Sequence, residues 1–336
     1  MRGKGISYSI GAFHPGAAAS EPFDPALVAR GLRIIHDDLH CTAVRVIGGD
    51  PDRLELAATL AAAAGLEVWF CPFTLDWTTE ELLVLLSECA ARAERLRRGG
   101  AEVVFVTGAE LTLLAKGFLP GDSLSDRLAL LAEPERLREV RGELPVRLNA
   151  FLAEAVAVVR ERFGGKVTYA AIPSERVDWA PFDIVGVDAY RSIEVADQFP
   201  GAIRALVAQG KPVAITEFGC ATFRGAADRG ARGGMIVEWD GPRPVGLKGE
   251  YVRDEAEQAA YLRELLELFG AEGVDAAFWC IFADYSLPHR SDPREDLDMA
   301  SYGVVKVLDG RPGQTYPDMP WEPKAAFTAL ADCYRG

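Results

Sequence analysis

Short apolar runs alternate with longer amphipathic runs along almost the whole chain. Each apolar run has the length of a strand, is rich in Val, Ile, Phe or Tyr, and is nearly continuous, which is typical of strands buried on both faces. The predicted strands are ISYSIGAF (6–13), AVRVIG (43–48), EVWFCPF (67–73), EVVFVTGAE (102–110), KVTYAAIP (166–173), DIVGVDAY (183–190), PVAITEFG (212–219) and DAAFWCIF (275–282).

The amphipathic runs between the strands have helical spacing and carry end signals. Thr78 is placed as an N-cap residue, and Gly65 follows a helix as a stop signal. After the fifth strand only the segment 174–182 is available for a helix. The predicted helices span 24–39, 52–65, 78–100, 146–165, 195–210, 254–273 and 322–334.

Regular alternation of strands and helices predicts a parallel α/β fold, and eight such units fit a closed barrel. The alternative, an open doubly wound sheet, usually has a Gly-rich phosphate-binding turn after the first strand, which Gly11-Ala-Phe-His-Pro-Gly16 does not match. We therefore predict a single (β/α)8 (TIM) barrel domain over residues 1–336. Long segments follow strands 4, 7 and 8 and enlarge the face on which such barrels build their active sites. These segments are 111–145, 220–253 and 283–321.

Composition and charge narrow the possible functions. A hydrophobic content of 49% leaves ample material for a large core, and the net charge of −14 argues against binding to nucleic acid or to anionic membranes. No apolar stretch is long enough to span a bilayer, and the amino terminus lacks a signal-peptide pattern, so we expect a cytoplasmic protein. The six cysteines are scattered without a C-x-x-C pair, which predicts free, mostly buried thiols rather than a metal or disulfide framework.

Two glutamates stand at the carboxyl ends of predicted strands, Glu110 on the fourth and Glu217 on the seventh. Burying a carboxylate there is costly unless it is paired, hydrogen-bonded or functional. Either glutamate alone is compatible with a structural role, such as capping a helix or pairing with a buried arginine. Two that face each other would supply the proton donor and the nucleophile or base of glycoside hydrolysis.

With these two glutamates in place, the chain resembles clan A of the retaining glycoside hydrolases, and the resemblance covers nearly its whole length. It implies that Glu217, in Ile215-Thr-Glu-Phe-Gly219, is the nucleophile. It also implies that Glu110, in Gly108-Ala-Glu110, is the acid/base residue. The carboxyl-terminal segment from Tyr302 onwards looks like the segment that closes the clan's barrel.

The same resemblance implies roles for three further residues. Tyr190, at the end of strand 6, matches the tyrosine that hydrogen-bonds the nucleophile. Arg45 matches the strand-2 arginine that helps to keep the nucleophile ionised. Trp279 matches the strand-8 tryptophan that forms the floor of the sugar site.

One position departs from the clan's pattern. The clan normally has Asn directly before the acid/base glutamate, where it hydrogen-bonds the sugar 2-hydroxyl, and this chain has Ala109. Losing such a donor should cost about 2–4 kcal/mol of transition-state stabilisation. Either another group replaces the donor, or the substrate has no ordinary 2-hydroxyl there. Two alternatives to a glycosidase therefore stay open: a barrel repurposed for acid/base cyclisation or rearrangement of a non-sugar metabolite, and a non-catalytic binding protein.

Other side chains in predicted strand-end loops are candidates for contact with a substrate. Trp77 and Trp239 would suit stacking on a sugar ring, although loop packing explains them equally well. A lone histidine in such a loop more often has a structural role. The remaining candidates are His14, Asp76, Asp284, Tyr285 and His289.

The expected ligand is a small-molecule glycoside or a related metabolite, with no cofactor. The segment 218–253 carries six Lys and Arg against four Asp and Glu, with a Gly-rich run, so it suits either a lid over an anionic ligand or a solvated loop. A cluster of acidic residues lacks the calcium-loop pattern, so we predict no metal site there. These residues are Asp292, Glu295, Asp296 and Asp298.

Overall fold

The apolar runs form one parallel sheet that curves into a nearly closed barrel. The computed structural model describes residues 1–11, 23–131, 133–241 and 243–336. The strands adjoin in the order β5-β4-β3-β2-β1-β8-β7-β6, each pair parallel, which confirms the predicted barrel. They are β1 (Gly3–Ser9), β2 (Ala43–Gly48), β3 (Glu67–Pro72), β4 (Val103–Ala109), β5 (Lys166–Ala170), β6 (Val185–Asp188), β7 (Val213–Phe218) and β8 (Ala276–Trp279).

The ring closes between β5 and β6 through a few backbone contacts. Ala171 forms a parallel bridge with Val187. The Ala171 N–H donates to the Gly186 carbonyl over 3.1 Å, and the Asp188 N–H donates to the Ala171 carbonyl over 2.8 Å. A Cβ atom on Gly186 would lie 2.2 Å from the Tyr169 carbonyl oxygen, so only glycine permits this approach. The closure therefore depends on a close backbone contact.

Helices cover the barrel, and each of the seven predicted ones is present. Asp24, Asp50 and Asp254 cap three of them through their side chains, and Thr78 forms a capping box with Glu81. The helices are α1 (Pro25–Asp37), α2 (Pro51–Ala63), α3 (Thr79–Arg98), α4 (Leu111–Leu114), α5 (Leu124–Leu131), α6 (Pro134–Val140), α7 (Leu144–Arg160), α8 (Phe199–Val207), α9 (Glu255–Glu272) and α10 (Ala325–Arg335).

The connection from β5 to β6 has no α-helix in its residues, all of which the structure describes. Its regular part is a single 3-10 turn, Pro173–Glu175, followed by Arg176 in the left-handed conformation with φ 52°. The segment 174–182 was the one place available for a helix here. Arg176 leaves the helical region directly after the turn, and Pro181 disfavours helical geometry at the residue before it.

The three long connections all lie at the carboxyl ends of their strands. The segment after β4 contains α4, α5 and α6. The segment after β7 contains a two-stranded hairpin of Val237–Asp240 and Arg243–Leu247. The segment after β8 contains the antiparallel pair Val305–Val307 and Trp321–Pro323. As predicted, the long connections enlarge the face of the barrel at the carboxyl ends of the strands.

Strand alternation divides the core into two layers. Inside the barrel, Trp69 and Phe278 pack with ring centroids 4.6 Å apart among smaller apolar side chains. A larger apolar layer fills the space between the sheet and the helices. All six cysteines are free, and Cys41, Cys71, Cys89 and Cys220 are buried. None of the helices in the described residues has the length and apolar character needed to cross a bilayer.

Candidate active site

A bulge in β7 directs Glu217 into the mouth of the barrel. Val187 pairs with Ile215 and Asp188 pairs with Glu217, so Thr216 is one residue too many for regular pairing. Bulges of this kind re-aim side chains and are common beside active sites. The Thr216 hydroxyl donates to Asp188 Oδ1 over 2.6 Å and fixes the bulged strand against β6.

Both carboxylate oxygens of Glu217 are held by hydrogen bonds. Arg45 Nη1 donates to Oε1 over 2.7 Å, and the Tyr190 hydroxyl donates to Oε2 over 2.9 Å. Arg45 is fully buried and also donates to the Thr216 carbonyl over 3.0 Å, so its guanidinium is fixed on the same strand. Two hydrogen bonds, one of them also an ion pair, therefore fix the orientation of this carboxyl group. The structure brings together Glu217, Arg45 and Tyr190, which the sequence analysis grouped by resemblance.

Glu110 follows β4 in a conformation that is uncommon for a residue with a side chain. Its φ and ψ are 45° and 38°, in the left-handed region. The strand register shifts between Val106 and Ala109, just before it. The Glu110 N–H donates to the Ala170 carbonyl over 2.9 Å, and the Glu110 carbonyl accepts from the N–H groups of Leu113 and Leu114 at 2.9 Å. Contacts on both sides thus fix the backbone of Glu110.

The surroundings of Glu110 favour its protonated form. Burial raises the pKa of Glu110 well above its ordinary value, and the negative charges of Asp188, Glu217 and Glu175 raise it further, whereas Arg45 lowers it. A carboxyl group whose surroundings favour its protonated form, beside a carboxyl group paired with a guanidinium, is an arrangement that supports acid/base chemistry.

Asp188 is a third carboxyl group in the site, and the sequence analysis assigned it no role. It ends β6 and is buried. Burial raises the pKa of Asp188 well above its ordinary value and the charge of Glu217 adds to this, while Arg45 and the Thr216 hydroxyl act in the opposite direction. Its position at a strand end is the same signal that identified the two glutamates. The resemblance assigned a role at this strand end to Tyr190 alone.

Trp279 lies on the outer side of β8, away from the barrel interior. Its side chain is fully buried, its ring packs edge-on against Phe218 with centroids 5.3 Å apart, and its Nε1 donates to the Tyr302 carbonyl over 2.8 Å. The structure therefore does not place Trp279 where the resemblance implied. Alternation along the strand points Phe278 inward and its neighbour outward.

The next residue, Cys280, has its thiol against the Tyr190 hydroxyl, and burial keeps the pKa of this thiol well above its ordinary value.

Three predicted aromatic candidates are partly exposed in connections that leave the carboxyl ends of strands. Trp77 follows β3 and is 38% exposed, and its carbonyl accepts from the Lys116 N–H over 2.9 Å. Trp239 belongs to the hairpin after β7, and Tyr285 follows β8. Contact of these three side chains with an extended substrate stays a prediction.

The smaller candidates have local partners. Asp76 forms an ion pair with the fully buried Arg127. Asp284 accepts from the N–H of Ser286 over 3.1 Å and from its hydroxyl over 2.5 Å, which closes a turn after β8. His14 lies outside the described residues.

His289 and two members of the acidic cluster, Asp296 and Asp298, belong to an ion-pair network. His289 Nδ1 lies 2.9 Å from Asp296 Oδ1, and Arg253 pairs with Asp296 over 2.7 Å and with Asp298 over 2.9 Å. The buried Lys324 also pairs with Asp298 over 3.0 Å. These carboxylates thus have cationic partners from the protein itself. Among the described residues, no group of three or more His, Cys, Asp or Glu side chains is arranged to hold a metal ion.

The segment 218–253 is anchored beside Tyr190. The Tyr302 hydroxyl donates to the Gly230 carbonyl over 2.6 Å and accepts from the Gly233 N–H over 2.9 Å, and its ring packs edge-on against Tyr190. Several of the cations in the segment already have partners. Arg232 pairs with Glu194, and Arg224 lies 3.7 Å from Asp254. A lid over an anionic ligand stays a prediction.

Several solved structures share this barrel at low sequence identity. A GH113 β-1,4-mannanase is 19% identical over all of both chains, with a TM-score of 0.61. The GH113 β-mannanase AaManA from Alicyclobacillus acidocaldarius, solved with ManMIm, is 18% identical over 99% of this chain and 97% of that one, with a TM-score of 0.58. A β-glucuronidase from Ruminococcus gnavus is 13% identical over 99% of this chain and 49% of that one, with a TM-score of 0.58.

Comparison by sequence finds no counterpart. No family model matches the chain, and no curated protein matches it. The likeness to the solved glycoside hydrolases is therefore a likeness of fold.

Proposed function

We propose that this protein is a retaining glycoside hydrolase, or a transglycosidase, in which Glu217 is the nucleophile and Glu110 is the acid/base residue. The observation that carries the proposal is that two carboxyl groups in one barrel mouth have different surroundings. Arg45 and Tyr190 hold both oxygens of Glu217, whereas burial and negative neighbours favour a proton on Glu110. The likeness to barrels that are mannanases and glucuronidases supports the same class of reaction.

In the first step, a Glu217 oxygen attacks the anomeric carbon of the bound sugar. The bond from that carbon to the leaving oxygen breaks, and the proton of Glu110 passes to the leaving oxygen. The product is a sugar joined to Glu217 by an ester bond, with Glu110 now ionised. The hydrogen bonds from Arg45 and Tyr190 orient Glu217 for this attack.

In the second step, Glu110 takes a proton from an incoming water molecule or sugar hydroxyl. The resulting oxygen nucleophile attacks the anomeric carbon, and the ester bond to Glu217 breaks. Two inversions at the anomeric carbon give net retention. Glu217 and Glu110 return to their starting protonation states, and the scheme uses no cofactor.

A set of aryl glycosides tests the proposal. The purified protein is incubated with the 4-nitrophenyl and 2,4-dinitrophenyl β-glycosides of mannose, glucose and glucuronic acid, and release of the phenol is followed. We expect hydrolysis of at least one sugar, its loss in Glu217→Ala, and partial recovery with azide as a glycosyl azide of inverted configuration.

An exposed glutamate serves as the matched control. Glu154 lies on the surface of α7, and Glu154→Ala should hydrolyse the same glycoside at the wild-type rate. A folded wild-type protein that releases no phenol from any of these glycosides, or a Glu217→Ala protein that is as active as wild type, would contradict the proposal.

One observation favours a second candidate function. Ala109 lies inside the barrel, next to Glu110, and its methyl group offers no hydrogen bond to a sugar hydroxyl. The same acid and carboxylate, beside apolar surface, suit proton-driven cyclisation or rearrangement of a non-sugar metabolite. A screen of the purified protein against a library of metabolites, followed by a structure with the tightest binder, separates the two. A non-carbohydrate bound between Glu110 and Glu217 supports the second candidate.

A further inference from the structure

A buried carboxyl group follows β5, and the reaction scheme above does not use it. Glu175 closes the 3-10 turn Pro173–Glu175, and the residue is only 2% exposed. Acidic side chains are almost never buried to this extent unless they are paired or hydrogen-bonded. The contacts of this carboxyl group therefore indicate what it stabilises.

Four hydrogen-bond donors surround the Glu175 carboxyl group, and two belong to a residue just after Glu110. The N–H and the hydroxyl of Thr112 donate to Oε1 over 3.0 and 2.9 Å. The Tyr169 hydroxyl donates to Oε1 over 2.9 Å, and the Ile172 N–H donates to Oε2 over 3.1 Å. Glu175 thus ties the end of β5 to the start of α4.

Tyr169 extends this network to the residue directly after Glu110. A phenol has one proton to donate, and when Tyr169 gives it to Glu175 the oxygen still accepts. It accepts from the Leu111 N–H over 2.7 Å. Leu111 and Thr112 are the first residues of α4, where backbone N–H groups have no partner within the helix. Glu175 and Tyr169 therefore supply the partners that the backbone after Glu110 needs.

These bonds also explain how Glu110 keeps its unusual backbone. Non-glycine residues persist in the left-handed region where the surrounding structure over-determines them. The Ala170 carbonyl fixes the amino side of Glu110, and the Tyr169–Glu175 pair fixes its carboxyl side. Both constraints come from β5 and the turn after it.

We propose that Glu175 is a positioning residue for Glu110: through Thr112 and Tyr169 it holds the backbone that aims the Glu110 carboxyl group at the leaving oxygen. This inference rests on the proposed function, because it places Glu175 in the proton-transfer step of that reaction. Glu175 itself does not touch the substrate in this scheme.

The charge of Glu175 has a second effect on the same group. The titratable groups that face it are Tyr169 from β5, Glu110 from the end of β4 and Asp188 from β6. Ionised Glu175 raises the pKa of Glu110, so it helps Glu110 to keep its proton. Removing the charge should therefore lower the pKa of Glu110 as well as loosen its position.

Leaving-group dependence separates a role in proton transfer from a merely structural one. Glu175→Gln and Tyr169→Phe are compared with wild type on phenyl and 2,4-dinitrophenyl glycosides of the sugar that the protein accepts. The phenyl glycoside needs the proton of Glu110 and the dinitrophenyl glycoside does not. We expect kcat/KM for the phenyl substrate to fall by about 10- to 100-fold in each variant, with little change for the dinitrophenyl substrate.

Glu94 offers a matched control at the opposite end of β5. It is 6% exposed, accepts from the Gly164 N–H over 3.0 Å and pairs with Arg97 over 2.8 Å. Glu94→Gln removes the charge of another buried glutamate, far from the barrel mouth. Its ratio of phenyl to dinitrophenyl rates should equal that of wild type.

A titration of Glu110 tests the inference without any turnover. In protein labelled with 13C at glutamate carboxyl groups, the Glu110 signal is assigned through Glu110→Gln. We expect Glu175→Gln to shift this signal and to lower the pKa of Glu110, and we expect Tyr169→Phe to shift the signal. If wild type hydrolyses no glycoside, the proposed function fails and this titration alone decides the inference.

Two results would overturn the inference. One is an equal loss of rate on both leaving groups in Glu175→Gln and Tyr169→Phe. The other is a Glu110 signal and titration that match wild type in both variants. If Glu175→Gln does not fold, the same criteria apply to Tyr169→Phe, which keeps the buried carboxyl group and removes only one hydroxyl.

Discussion

Glu110 and Glu217 are the same residue type, yet their side chains have different surroundings. Glu217 accepts from a guanidinium at 2.7 Å and from a phenol at 2.9 Å, so both of its oxygens are held. Glu110 is desolvated and lies near three acidic groups, Asp188, Glu217 and Glu175, which favours its neutral form. At the scale of single residues, this difference would let one glutamate donate a proton while the other attacks in the proposed reaction.

Tyr190 offers a conservative test of how Glu217 is held. Tyr190→Phe keeps the ring and its contact with Tyr302 but removes the donor to Glu217 Oε2. Loss of one donor to an oxygen on which negative charge develops lowers the rate by about 10²- to 10³-fold, and in the proposed second step negative charge returns to Glu217 as the ester bond breaks. We expect a loss of this size in kcat on the best aryl glycoside, with a small change in KM.

Tyr334 provides the control for that substitution. It is buried near the opposite end of the barrel, where its hydroxyl donates to the Gly5 carbonyl over 3.1 Å. Tyr334→Phe removes a buried hydroxyl of the same kind and should leave kcat near the wild-type value. Equal rates for Tyr190→Phe and wild type would show that the hydroxyl of Tyr190 does not act on Glu217 during turnover.

At the scale of elements, irregularities in the strands aim the reacting groups. β4 and β7 each carry a register shift just before their glutamate, and the turn after β5 replaces a helix with a buried hydrogen-bond network. Regular strands would alternate inward and outward without interruption. The bulges change that alternation just before Glu110 and at Glu217.

Glu175, in the turn after β5, should make the folded protein less stable as the pH rises. Burial raises the pKa of Glu175 from 4.5 to about 7 in the folded state. Between these values the folded protein binds a proton that the unfolded chain does not, so this group's contribution is complete below pH 4.5 and is lost as the pH rises through about 7. The shift corresponds to about 3 kcal/mol.

Urea denaturation of wild type and Glu175→Gln across pH 4 to pH 8 measures this contribution. Because Glu175→Gln also lowers the pKa of Glu110, the difference between the two curves reports Glu175 together with its effect on Glu110, and both change the difference in the same direction. We expect the stability of wild type relative to Glu175→Gln to fall as the pH rises. A difference that is constant with pH would show that Glu175 keeps an ordinary pKa.

At the scale of the whole molecule, ring closure assembles the site. Glu110 follows β4, Asp188 ends β6 and Glu217 lies on β7, while Glu175 follows β5. The ring closes between β5 and β6 through an isolated bridge. This contact lies between β4 and β5 on one side and β6 and β7 on the other. Closure therefore decides whether the carboxyl groups share one cavity.

Gly186→Ala tests the closure directly. The new Cβ atom would lie 2.2 Å from the Tyr169 carbonyl oxygen, so one of the two strands has to move. Overpacking of this kind costs about 1–3 kcal/mol, and we expect at least that loss in urea denaturation, together with a loss of catalytic activity.

Gly201 is a matched control for the added methyl group. It lies in α8, and its Cβ atom would meet nothing within 4 Å. Gly201→Ala should raise stability by about 0.4–1 kcal/mol because it reduces the entropy of the unfolded chain. A Gly186→Ala protein as stable and active as Gly201→Ala would show that the β5–β6 contact does not hold the ring closed.

The alternation of apolar and amphipathic runs determined the eight strands, the seven helices that cover them and the enlarged face of the barrel. These features depend on local periodicity, which the sequence records directly. Strand-end position also singled out Glu110 and Glu217, and the resemblance grouped them with Arg45 and Tyr190. The tertiary structure alone decided that Asp188 joins the site and that Glu175 contacts the backbone after Glu110. Each of these depends on bulges, on burial or on contacts between residues far apart in the chain, and local periodicity contains no record of them.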